Sequence, residues 1–139
     1  YEVARVVVEV RPNAVVTWGE AWVRGARHPD HQATGKIVRD AVTLARLGRV
    51  VEPLPPHREF VPVFTLRDIH STLPEVAVDV TPVVPKVLEL GAYYREALGW
   101  PGEDWLGERL ARAGRRWGVE AAELFDAWET EPGLVTALV

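Results

Sequence analysis

The residues best equipped for chemistry stand together at His28-Pro29-Asp30-His31. Two imidazoles with a carboxylate between them can divide the work of a reaction. One ring can ligate a metal, the other can act as acid/base or stabilise an oxyanion, and the carboxylate can fix a tautomer. Pro29 suits the first position of a helix, where its missing N–H costs nothing, and Asp30 sits well against the positive helix end. The pattern is short, and two surface histidines around a helix cap satisfy it equally well. A hydrolytic zinc site needs three protein ligands and an open position for water.

Other candidates surround this cluster. Trp18 and Trp22 flank the loop that leads to it, and either ring can wall a pocket for a sugar. His70, close in sequence to Arg67 and Asp68, is a second pocket candidate, with a solvated loop histidine as the plain reading. His57 follows the prolines of the connector 52–58 and is expected to face solvent or cap a turn. Asp79 alternates with valines, which places it on the opposite sheet face or makes it a hydrogen-bonded strand-end carboxylate. Trp117 and Trp128 read as core. Arg109, Arg112, Arg115 and Arg116, followed by Glu120, Glu123 and Asp126, read as a solvated helix face.

The elements that must position these groups follow from periodicity. Val3, Val6, Val7 and Val10 have helical spacing, although the β-branched run Val6-Val7-Val8 favours a strand on propensity. Residues 14–18 form a short apolar strand, and 19–27 a loop. A helix begins at Pro29, carries Ile37, Ala41, Leu44 and Ala45 on one face, and stops near Gly48. Strands are expected at 60–66 and 76–80. Thr81 and Pro82 open a helix that reaches about Leu98. A last helix carries Leu106, Leu110, Ala113, Trp117, Ala121 and Leu124 along a stripe. Strands and helices interleaved in this way predict an α/β layered domain. The histidine cluster then lies outside the carboxyl end of a strand, where open α/β sheets bind ligands.

Composition narrows the function classes. The 139 residues are 47% hydrophobic and 26% charged, enough for a core. A net charge of −4 argues against nucleic-acid binding, which needs a basic footprint. No apolar run approaches the roughly 20 residues of a membrane span, so no membrane partner is expected. The absence of Cys excludes disulfides, thiolate zinc fingers and cysteine nucleophiles. There is no Met either, and the sequence begins at Tyr1.

An apolar strand, then His-Pro-Asp-His-Gln-Ala-Thr-Gly at 28–35, then an amphipathic helix, resembles the second signature of the LmbE-like (PIG-L) N-deacetylases. These are zinc hydrolases that remove acetyl groups from N-acetylglucosamine conjugates. The resemblance continues in order along the chain. Residues 10–16 are similar to the family's Arg-Pro and following strand, and Pro74 with Val76–Thr81 to its Pro-x-x-x-Val-Asp-Val-Ser/Thr segment. Lys86 with its helix, and residues 124–128, resemble later family segments. The likeness is strongest to the bacillithiol-type enzymes. It implies a Rossmann-like α/β fold, a cytoplasmic enzyme that could be a homo-oligomer, and an amino-sugar conjugate as substrate. His31 would be a Zn²⁺ ligand, His28 the oxyanion stabiliser and proton donor, and Asp30 the residue that orients His28.

Two departures qualify the resemblance. The family's opening motif, Ala-His-Pro-Asp-Asp-Glu, which supplies the other ligands and the general base, is not in this sequence. The expectation is therefore that residues 1–139 are the C-terminal portion of one such domain, without its N-terminal strands, inactive alone and with the remaining ligands upstream. Tyr93-Tyr94-Arg95-Glu96 also stands where the family carries His/Tyr-x-Ser-Gln, which puts the substrate in question. The rival expectation is a non-catalytic α/β interaction module that retains a relic His-Pro-Asp-His site.

Overall fold

The computed structural model describes residues 1–19, 29–68, 71–100 and 102–138. Residues 1–74 with 126–131 form one unit, and residues 75–125 with 132–138 a second.

In the first unit the valine-rich opening is a helix, α1 (Glu2–Val10), so periodicity prevails over β-branching. Its buried face is Ala4, Val7 and Val8, while Val3, Val6 and Val10 are exposed. The expected stripe is thus rotated. The small side chains of Ala4, Ala41 and Ala45 meet in one cluster with Val51, and that close packing selects the face. Arg11 ends α1 in the left-handed conformation (φ 48°), its N–H donating to the Val7 carbonyl at 2.9 Å.

Strand β1 (Val15–Thr17) leads to helix α2 (Pro29–Leu44), short helix α3 (Gly48–Val51) and strand β2 (Val63–Leu66). Strands β1 and β2 are parallel, with Val15 opposite Val63 and Thr17 opposite Thr65. A parallel pair needs a crossover, which α2 supplies. Ala41 and Ala45 face the core as expected, but Ile37 is exposed.

His57 departs from expectation. Its backbone N–H donates to the Ala45 carbonyl at 3.0 Å and the residue is only 2% exposed. The prolines return the chain to the cluster that holds Val51 and Leu54, so the ring beyond them is covered instead of solvated. Among the described residues neither ring nitrogen has a hydrogen-bond partner. A buried polar group without a partner costs about 1–3 kcal/mol, so His57→Leu is expected to leave stability unchanged or raise it by roughly 1 kcal/mol. The urea midpoint measures this.

The second unit holds β3 (Glu75–Asp79), a 3-10 turn (Thr81–Val83), α4 (Val84–Leu98), α5 (Gly102–Trp117), most of β4 (Ala122–Ala127) and β5 (Gly133–Val135). Strands β3 and β5 are parallel, Val76 lying opposite Gly133 and Val78 opposite Val135. Strand β4 passes from the second unit into the first at Asp126. Helix α5 stops at Trp117 instead of running to Leu124. Gly118 takes a positive φ of 74°, and the Val119 N–H turns back to the Gly114 carbonyl at 3.1 Å. Ala122 and Leu124 therefore belong to a strand, in a cluster with Ala77 and Ala113. The arginine face of α5 is exposed as expected, though Arg116 reaches Glu75 at 3.1 Å and Arg109 pairs with Glu123. Trp128 follows β4 and is not on the last helix. It is half-buried, with Arg39 stacked 3.6 Å above its ring.

Asp79 is the strand-end carboxylate that was one of its two expected places, its Oδ1 accepting the Thr81 N–H at 3.0 Å. The Thr81 hydroxyl and N–H together hold the carboxyl below its ordinary range. The stability this group adds is complete above the ordinary carboxylate range and is lost as pH falls through its lower folded value. Asp79→Asn should flatten that acid limb, as read from denaturant midpoints at stepped pH.

Candidate functional site

The site is built where β1 ends and α2 begins. The pairing of Thr17 with Thr65 sets the carboxyl ends of two parallel strands side by side, and Trp18 is the first residue beyond β1. Asp30 and His31 occupy the first turn of α2, with Asp30 exposed and the His31 side chain 22% exposed. The structure brings Trp18 onto His31: the two rings stack with centroids 3.8 Å apart and planes 6° from parallel. Asp30 Oδ2 lies 4.0 Å from His31 Nε2, within the range of an ion pair and beyond that of a hydrogen bond.

Gly35 completes this corner and was not recognised from sequence as structurally necessary. It lies four residues after His31, on the same helix face, and is buried. A Cβ on it would stand 2.1 Å from the Trp18 carbonyl oxygen, so helix and strand end meet backbone to backbone. The available signal was a glycine inside a helical pattern, which often marks close packing. Gly35→Ala is expected to cost about 2 kcal/mol through overpacking and to displace Trp18. Thermal unfolding and near-ultraviolet circular dichroism would show the two effects.

The other predicted residues fall elsewhere. His28 and Trp22, in 20–28, and His70 lie outside the described residues. Beyond β2, Arg67 pairs with the buried Asp126 and also donates to the Leu73 carbonyl at 3.1 Å. Sequence reading missed this pair because it placed Asp126 on a helix surface. A cavity of about 240 Å³ lies beside Arg39, Thr43, Val63 and Trp128, and none of Trp18, Asp30 or His31 lines it.

A half-buried imidazole at a helix mouth has the donor chemistry of a zinc ligand. Among the described residues no group of three or more His, Cys, Asp or Glu is placed to hold a metal. His31 thus fits one corner of a zinc site, and the described residues do not supply a full set. Nor is any helix among them long and apolar enough to cross a membrane.

Comparison with solved structures gives two informative likenesses. The conserved protein TT1542 from Thermus thermophilus matches with a TM-score of 0.72 and 26% identity, over 91% of this chain and 56% of that one. The N,N'-diacetylchitobiose deacetylase from Pyrococcus horikoshii, solved with an inhibitor, matches with a TM-score of 0.69 and 20% identity, over 91% of this chain and 49% of that one. The chain therefore spans about half the length of these structures. Protein-family models and curated protein sequences give no match. The fold is α/β and Rossmann-like, an architecture that a deacetylase shares.

Proposed function

We propose that the chain is part of a metal-dependent N-deacetylase that releases acetate from an N-acetylglucosamine conjugate, with a bacillithiol-type substrate as the finer reading. The observation that carries this is the placement of His31 at the mouth of α2, against the carboxyl end of β1, in a fold shared with a chitobiose deacetylase.

Hydrolysis of an acetamide joins water to the carbonyl carbon, breaks the C–N bond and returns a proton to the departing amine. In this reading His31 is one ligand of Zn²⁺, and the other ligands come from outside the described residues. Bound there, the metal would polarise the carbonyl and acidify water. His28, which precedes Pro29 in the sequence, supplies the proton to the amine and stabilises the developing oxyanion. Asp30 orients it.

The test is zinc content by mass spectrometry, together with acetate release from N-acetylglucosaminyl substrates by the intact protein. The expected result is near one zinc per chain and activity that a chelator removes and zinc restores. Metal-free protein inert on every such substrate would overturn the reading. The rival, a non-catalytic interaction module, draws on an exposed aromatic group on and after α4. There Tyr94 stacks on Trp100 at 5.2 Å, and Trp100 is 58% exposed.

A further inference from the structure

We propose that Trp18 is the positioning residue for His31, clamping the imidazole plane so that its ring nitrogens are limited to one orientation and its half-turn flip at the mouth of α2. The proposal rests on the deacetylase reading in taking His31 as the working group.

The geometry is specific. At 3.8 Å and 6° the indole covers the imidazole face to face. Turning the imidazole a quarter-turn about its Cβ–Cγ bond would drive its edge into the indole, so only the present orientation and its half-turn flip keep the stack. The half-turn exchanges each nitrogen for a carbon, and a partner for either nitrogen then selects between the two. A stack positions its partner only if it is itself held. The Trp18 backbone, from which the indole projects, is held twice, by the strand pairing of Thr17 with Thr65 and by the seat of its own carbonyl against Gly35. His31 and Gly35, one helical turn apart, therefore both meet Trp18: the ring takes the indole and the glycine takes the carbonyl. With one indole face given to His31, a sugar could stack only on the other. Positioning and substrate stacking thus make different kinetic predictions.

The experiment compares Trp18→Phe and Trp18→Ala in the intact protein, with circular dichroism to confirm folding. Three quantities are read: zinc affinity by chelator competition, kcat and KM for acetate release, and the NMR positions of the His31 ring protons, assigned with His31→Gln. The indole ring current should hold those protons upfield. Expected for Trp18→Ala is their return downfield, with zinc affinity and kcat each reduced about 10–100-fold and KM unchanged, the range found when an orienting partner of a metal ligand is lost. Trp18→Phe should rescue all three. A raised KM with kcat and zinc affinity unchanged would overturn the proposal in favour of a substrate-stacking wall, as would His31 signals indifferent to the Trp18 substitutions. If the wild type neither binds zinc nor releases acetate, while the His31 signals move as expected, the clamp stands and the deacetylase reading falls.

Discussion

On the deacetylase reading proposed above, His31→Ala in the intact protein is expected to abolish zinc retention and deacetylation together. A catalytic zinc site works with three protein ligands, and loss of one leaves too few to hold the ion at working concentrations. Folding should survive the change. The ring is partly exposed, and an aromatic pair such as its stack with Trp18 is worth about 0.5–1.5 kcal/mol. His28→Ala provides the contrast. On the same reading, loss of an acid/base and oxyanion group should lower kcat by about 10²–10⁴-fold with zinc still bound. Metal analysis of both variants beside wild type separates the roles. Zinc retained at full stoichiometry in His31→Ala would mean that the ligand lies elsewhere.

The largest effect on stability is expected at Asp126, whose carboxylate is 1% exposed and paired with Arg67, itself 19% exposed. Removing one member of a buried ion pair leaves the other charge without compensation and costs about 3–5 kcal/mol. Asp126→Ala should lie toward the lower end of that range, because Arg67 keeps the Leu73 carbonyl at 3.1 Å and the Ser71 carbonyl at 3.4 Å. Replacing both residues together, Arg67→Met with Asp126→Leu, should cost less than Asp126→Ala alone, because no charge is then stranded. Denaturant unfolding of the three proteins closes the comparison. Equal losses in the single and double variants would show that the pair contributes nothing through its charge.

What could be read from the sequence was set by local signals. The valine spacing of α1 and the Pro29-Asp30 opening of α2 are local, and both elements formed as read. The parallel pairing that makes the sheet was implied by the alternation of elements. Failures arose where tertiary packing decides. The buried face of α1 is chosen by small side chains on α2, not by the most apolar stripe. His57 is covered because the chain doubles back, which no window around it reveals. The end of α5 was legible at Gly118, but the apolar spacing through Ala121 and Leu124 continued past it and obscured the stop. At the site, the type and order of His28, Asp30 and His31 were visible, whereas the stack of Trp18 and the seat of Gly35 are relations between a strand end and a helix.

The entry of β4 into the first unit has a consequence for synthesis on the ribosome. Arg67 and Asp126 are 59 residues apart, and the chain between them includes most of the second unit. At ~5–20 residues per second, the arginine waits about 3–12 s for its carboxylate after it has been made. During that interval the first unit holds a cation intended for its interior, and its compact state is disfavoured until Asp126 arrives. Its completion is timed by its last strand, so the nascent chain must stay soluble longer than the number of residues in that unit implies.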